Sequence, residues 1–326
     1  MGNRGPQPLR DDDPREIAGY VLAARIGEGG MGTVFLTRTR DGRHPVALKL
    51  IRREHAQSEN FRKRFAREVA AARRVHGHHL APVVDHDAEG PQPWLATRYV
   101  PGLPLDAALA EFGPLPVDCV LQLTAGAAQA LHAVHTAGVI HRDVKPGNLL
   151  LTAQGPWLLD FGIARAADGT SVLTTVGRMV GTPKYMSPEH ALGRPLTPAS
   201  DVFTLGLVAA EAATGHHPYG EGGGFVVATR IAGTAHEPPD LSAHPAALRQ
   251  VLAAALAARP EDRPSAAEME QLCGRAAQRD VGRFGGWLPK RVAAAVTGIE
   301  RAAGTAGGRV KDPRASGWLR RPRRDT

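Results

Sequence analysis

Cysteine is nearly absent from this chain of 326 residues. Only Cys119 and Cys273 occur, too few for a disulfide framework, and a reducing cytoplasm is the expected setting. Long apolar runs are missing as well. No stretch approaches the ~18 consecutive apolar residues of a membrane span, and the Asp-, Arg- and Pro-rich N-terminus has no signal-peptide core. The dipeptide Gly-Lys does not occur, which excludes a P-loop nucleotide site. The body of the chain also lacks net charge. Residues 281–326 hold eleven basic and three acidic residues and so account for the whole excess of +8, whereas the preceding 280 hold 29 of each. A neutral body has no field with which to steer nucleic acid.

What is present reads as two halves between two extensions. Residues 1–16, with Asp11-Asp12-Asp13-Pro14, are expected to form a flexible lead. Residues 17–100 carry mostly strand signals: Tyr20–Ile26 and Thr33–Thr37 flank a glycine cluster, and Pro45–Ile51 follows the Asp41-Gly42 turn. One helix interrupts them, with Ser58 as N-cap and Phe61, Phe65, Val69 and Ala72 on one face. Residues 101–278 turn helical. Val117–Thr136 ends at Gly138, Ser200–Thr214 ends at Gly215, and Ser265 with Glu268 opens a last helix as a capping box. Residues 279–326 are expected to be a disordered basic tail, although Trp287, Leu288, Val292, Ala295 and Val296 allow one amphipathic turn or two. The fold class is α+β, a small antiparallel β lobe with one helix before a larger helical lobe.

Three motifs carry chemistry. Gly27-Glu28-Gly29-Gly30-Met31-Gly32 holds Gly-x-Gly-x-x-Gly, weak by itself in a chain with 37 glycines. A β-branched run, Thr33-Val34-Phe35-Leu36-Thr37, follows it instead of a helix, which favours a flap over phosphates and disfavours a dinucleotide fold. Lys49 lies inside the apolar strand Val46–Ile51, where a lone lysine would otherwise only snorkel. His141-Arg142-Asp143-Val144-Lys145-Pro146-Gly147-Asn148 places a carboxylate, an ammonium and an amide on one loop. Its five polar residues at fixed spacing would arise by chance about once per ten thousand such chains. Asp160-Phe161-Gly162 follows twelve residues after Asn148.

Together these motifs resemble those of the eukaryotic-type protein kinases, and the chain is similar to the bacterial eukaryotic-like (Hanks-type) serine/threonine kinases of the actinobacterial branch over about residues 17–275. The resemblance implies a bilobal kinase fold that uses ATP with Mg²⁺, Mn²⁺ being an alternative, and that phosphorylates protein substrates. It implies catalytic roles for Asp143, Lys145, Lys49 and Asn148, with Asp143 accepting or orienting the acceptor proton. It places ATP against Ile26, Gly27, Glu28, Gly29, Gly30, Met31, Gly32, Val34, Ala47, Lys49, Glu68, Tyr99, Val100 and Leu150, with Glu68 as the ion-pair partner of Lys49. Asn148 and Asp160 would hold the metal, and Thr97 would be the gatekeeper of the connector. Lys145 and Thr182 imply a Ser/Thr acceptor.

Regulation is expected at Arg142, Arg165, Thr174, Thr175 and Thr182, with autophosphorylation at Thr174 or Thr175 ahead of Thr170, through a transient homodimer. Glu189 is expected to pair with Arg263, and Asp201 to hold the loop backbone. The chain reads as a soluble kinase without the membrane helix and sensor domain of many bacterial relatives, its tail being the one candidate for contact with anionic membrane or nucleic acid. His76, His78 and His79 read as a polar connector, since adjacent histidines seldom face one metal. A pseudokinase scaffold, a nucleic-acid-binding protein with a vestigial fold and a small-molecule kinase are the rival readings.

Overall fold

The computed structural model describes residues 6–160 and 183–306. The small lobe opens with β1 (Glu16–Ile17) and β2 (Tyr20–Val21), then β3 (Ala24–Gly29), β4 (Gly32–Arg38) and β5 (Pro45–Ile51). Next come α1 (Arg53–Ala56), α2 (Glu59–Ala72), β6 (Val83–Asp87) and β7 (Trp94–Arg98). The last five of these strands make an antiparallel sheet in the order β3-β4-β5-β7-β6. Ser58 caps α2 by accepting from the Phe61 amide, and Phe61, Phe65, Val69 and Ala72 are its buried stripe, as the helical spacing predicts.

The large lobe begins with β8 (Leu103–Pro104), α3 (Leu105–Phe112) and α4 (Val117–Thr136), continues through β9 (Leu149–Thr152) and β10 (Gly155–Leu158), and resumes at α5 (Pro188–Ala191). It is completed by α6 (Pro198–Thr214), α7 (Gly224–Ala232), α8 (Ala246–Ala255), α9 (Ala266–Ala277) and α10 (Lys290–Ala306). Strands β10, β9 and β8 form a small antiparallel sheet against α4. The Ala- and Leu-rich α4 is buried over most of its length and packs on both α6 and α9. Thr197 with Ser200, and Ser265 with Glu268, form capping boxes at α6 and α9, and α6 ends at Gly215 in the left-handed region.

Both extensions correct the sequence expectation. The lead is ordered from residue 7: Gln7 pairs with Arg25 of β3 through two backbone hydrogen bonds of 2.8 Å, and Asp13 is buried against the Arg25 guanidinium. The expected disorder of 279–326 fails for residues 281–306. Phe284, Trp287, Leu288, Val292 and Val296 are buried in the main core, and the Trp287 indole N–H donates to Thr152 O at 2.9 Å. The seat is made elsewhere in the chain. A Cβ at Gly155 would stand 2.8 Å from the Phe284 ring, and one at Gly126 would stand 3.1 Å from it. Two glycines far away in sequence thus open the slot that the ring fills. Residues 307–326, with the basic end of the tail, lie outside the described residues.

Candidate active site

The loop after α4 is fastened before it does anything. Asp201, in the first turn of α6, accepts from the His141 amide (2.7 Å) and the Arg142 amide (2.8 Å), and His135 Nε2 lies 2.8 Å from the same carboxylate. One buried side chain therefore joins the end of α4, the loop and α6, as expected for Asp201. His141 is fully buried. Its Nε2–H donates to Leu159 O (3.1 Å) and its Nδ1 accepts from the Asp143 amide (3.3 Å). Burial pushes this imidazole below its ordinary pKa against the pull of Asp201 and Asp143, so the neutral ring is a spacer with one donor and one acceptor.

Asp143, Lys145 and Asn148 are brought together. Lys145 Nζ donates to Asp143 Oδ2 at 2.9 Å, and Asn148 Nδ2 donates to the same oxygen (2.9 Å) and to Asp143 O (2.8 Å). With its NH₂ committed, Asn148 has its amide oxygen left for a cation. The turn Pro146–Asn148 makes this possible by folding the loop back on itself, and Leu159 N–H donates to Asn148 O (2.8 Å), which brings the end of β10 alongside. Asp160 follows, with φ of +47°. A non-glycine residue there is strained, and such strain is tolerated where surrounding contacts hold it.

Lys49 and Asp160 meet across the cleft at 3.0 Å. Desolvation in the cleft works to raise the Asp160 carboxyl, but the field of Lys49 and the hydrogen bond it donates outweigh this, with Lys145 adding to the pull. The group is held below the usual aspartate value. The expected ion pair of Lys49 with Glu68 is replaced. Glu68 lies instead 3.6 Å from Arg142 Nη1, giving that loop arginine a carboxylate partner. The reason is competition: of the two carboxylates on α2, Glu59 pairs with Lys63 within the helix, and Glu68 is taken by the cation of the large lobe while Asp160 satisfies Lys49.

Above them lies the glycine flap. β3 and β4 pair from Ala24↔Leu36 to Gly29↔Gly32, leaving Gly30 and Met31 as the turn. Gly32 is required, since a Cβ there would stand 2.1 Å from Leu50 O, whereas one at Gly29 or Gly30 would meet nothing within 4 Å. The backbone of the flap tip is therefore open on that side. Glu28 turns to the outer side, toward Arg10, Arg25 and Arg52. Cross-strand pairing of Val34 with Lys49 and of Ala47 with Thr97 sets these four on one face of the sheet, since side chains alternate. Val100 and Leu150 pack in one apolar cluster below the connector, and Ile26 and Tyr99 are half-buried.

Phe161 and Gly162, and with them Arg165, Thr170, Ser171, Thr174, Thr175 and Thr182, lie outside the described residues. The chain resumes at Pro183 and is anchored at once. Arg263 grips Glu189 with two bonds of 2.8 and 3.0 Å, and Ser200 Oγ donates to Glu189 Oε1 at 2.6 Å. Burial works to raise the Glu189 carboxyl, but the Arg263 and Ser200 hydrogen bonds hold it low. Tyr185 OH donates to Glu211 Oε2, fixing the segment to α6.

Residues 20–272 match the protein kinase domain family. The chain belongs to the protein kinase family. Among its relatives, the probable serine/threonine-protein kinase PkwA of Thermomonospora curvata is 46% identical over 263 residues, 81% of this chain and 35% of the relative. The serine/threonine-protein kinase AfsK of Streptomyces coelicolor is 42% identical over 313 residues, 92% of this chain and 38% of the relative. The chain thus spans little more than a third of the length of these kinases. The crystal structure of the Mycobacterium tuberculosis PknI kinase domain superposes with a TM-score of 0.63 at 31% identity, covering 80% of this chain and 97% of that one. Kinases of this family use ATP and a divalent metal.

Two groups at this kinase site escaped the sequence reading. His135 is the third donor on Asp201; its i+66 separation gives no local signal. Arg52 and His55 bind the carbonyls of Gly29 and Gly30 (3.2 and 3.1 Å), and nothing in their local sequence marks them as flap contacts.

Proposed function

We propose that this chain is a serine/threonine protein kinase that transfers the γ-phosphoryl group of ATP to hydroxyls of protein substrates. The observation that carries the reading is the cluster of Asp143, Lys145 and Asn148 set beside Asp160 and Lys49. Asp143 is the group that accepts or orients the proton of the incoming hydroxyl. Lys145, already 2.9 Å from Asp143, neutralises charge on the transferring group, and Lys49 grips the remaining phosphates. Transfer of this kind is mostly positioning and charge stabilisation, which suits a site whose groups are fixed by hydrogen bonds beforehand. The names of the relatives support Ser/Thr as acceptor, as do Lys145 and, in the sequence, Thr182.

The donor set fits a hard dication. Asp160 supplies a carboxylate kept ionised and Asn148 an amide oxygen, which suit Mg²⁺, with Mn²⁺ accommodated by the same ligands. When bound, the metal neutralises charge on the phosphate oxygens. Activation by phosphorylation at Thr174 or Thr175 would act on the pairing of Glu68 with Arg142. A phosphate that draws Arg142 away would release Glu68 toward Lys49. A transient homodimer would present one copy's loop to the other's site. Among the described residues no helix is long and apolar enough to cross a membrane; any tail contact with anionic lipid or nucleic acid would fall to residues 307–326.

The test is phosphate incorporation from labelled MgATP into the chain itself and into general protein acceptors, with the modified residues mapped. Phosphoserine or phosphothreonine is the expected product, and autophosphorylation should map to residues 170–175. Phosphotyrosine alone, or no incorporation under any metal, contradicts the proposal.

A further inference from the structure

The glycine flap has little of its own to hold it. Gly27, Gly29, Gly30 and Gly32 crowd its tip, and each glycine costs more order on folding than any other residue. Its outer side is nevertheless tied down twice. On one side, Arg52 at the end of β5 donates from its amide to Met31 O (2.9 Å) and from Nε to Gly29 O (3.2 Å), and His55 Nε2 meets Gly30 O (3.1 Å). Because a trans peptide points its C=O and the next N–H in opposite directions, holding the Gly29 and Gly30 carbonyls outward turns the Gly30 and Met31 amides away from Arg52 and His55. Those are donors an anion needs.

On the other side stands the N-terminal lead. Asp13 is 4% exposed at its side chain and Arg25 is 9% exposed; they meet at 2.5 Å, with a second bond of 3.2 Å from Nε. The Arg10 amide also donates to Asp13 (2.8 Å), closing the lead into a turn. Gln7 pairs with the backbone of Arg25. The other end of the Arg25 guanidinium reaches Glu28 in the flap at 2.7 Å, and Arg10 and Arg52 each reach Glu28 at 3.3 Å. Glu28 is thus the point where the lead, the flap strand and the end of the Lys49 strand are joined.

We propose that residues 7–13 are a clamp on the phosphate flap, and that Asp13 is a positioning residue for nucleotide, acting through Arg25 and Glu28. It touches no substrate atom. Its effect is to keep the flap in the conformation that binds phosphate, at a fixed height over Lys49. The proposal rests on reading the flap as the ATP site.

The test uses the full chain and compares wild type with Asp13→Asn, Asp13→Glu and Arg10→Ala. Four quantities are read: MgATP affinity by displacement of a fluorescent ATP analogue, KM for ATP, KM for a protein acceptor, and amide exchange over residues 24–38. If loss of the clamp leaves a tenth of the molecules competent, the apparent MgATP affinity falls about tenfold. The expected result for Asp13→Asn is that fall, a matching rise in KM for ATP, an unchanged KM for the acceptor and faster exchange at the flap. Asp13→Glu should recover most of the affinity. Arg10→Ala, at a side chain 57% exposed and so safe for folding, should shift the same quantities about twofold in the same direction. Wild-type affinity and flap exchange in Asp13→Asn and Arg10→Ala overturn the clamp and leave the kinase reading intact. So does a parallel loss of affinity, acceptor KM and kcat that Asp13→Glu does not repair. Absence of MgATP binding in the wild type overturns both.

Discussion

At the scale of single residues, several side chains act by what they accept. His217 receives the Tyr219 amide on Nδ1 (3.2 Å) and donates from Nε2 to Lys184 O (2.9 Å), which only a neutral ring can do. Burial brings its pKa down to about 4 from 6.5. The folded form therefore resists a proton that the unfolded chain takes up near pH 6.5. The stability that depends on the neutral ring is complete above that pH and is lost as pH falls toward 4, by up to about 3 kcal/mol. Melting temperature measured from pH 7.5 to 4.5 should fall more steeply for wild type than for His217→Gln; parallel curves would contradict this. Gly32→Ala is a second residue-level case. Its Cβ would stand 2.1 Å from Leu50 O, a backbone atom that cannot rotate away, and the expected cost is about 1–3 kcal/mol in urea unfolding. The polar loop 141–148 was legible in the sequence because its partners lie within a few residues of one another. The pairings Lys49–Asp160 and Glu68–Arg142 were not, because which carboxylate each cation takes depends on how α2 sits, a choice no local pattern encodes.

At the scale of elements, period and caps carried most of the information. Ser58, Ser265 with Glu268, and Gly215 mark helix ends by local hydrogen bonding, and the structure places α2, α9 and α6 accordingly. The α10 region was harder. Its apolar residues are sparse among alanine and glycine, and its partner surface is assembled from Gly126 on α4, Gly155 at β10 and Thr152 at the end of β9. Only the folded large lobe presents that seat. It follows that the segment is part of the core of the large lobe. Trp287→Ala removes a buried indole and its bond to Thr152, and should cost about 3–5 kcal/mol. Equilibrium urea unfolding checks this, and a loss below about 1 kcal/mol would show that the segment merely rests on the surface.

At the scale of the whole molecule, the two lobes are joined over the cleft by the pairs Lys49–Asp160 and Glu68–Arg142. A nucleotide and metal would compete for both members of the first pair, so binding and lobe arrangement are coupled. Ligand that binds only the folded form at a hundredfold excess over its Kd should add about 2.7 kcal/mol, seen as a higher melting temperature with MgATP in wild type and a smaller rise in Asp160→Asn. An equal rise in both would mean that Asp160 takes no part in holding the metal nucleotide. The central claim concerns Asp143, and the direct measurement is the rate of phosphoryl transfer by Asp143→Asn at saturating MgATP, with nucleotide affinity measured on the same preparation. The account predicts near wild-type affinity with transfer slowed about a thousandfold. Transfer at the wild-type rate would contradict it.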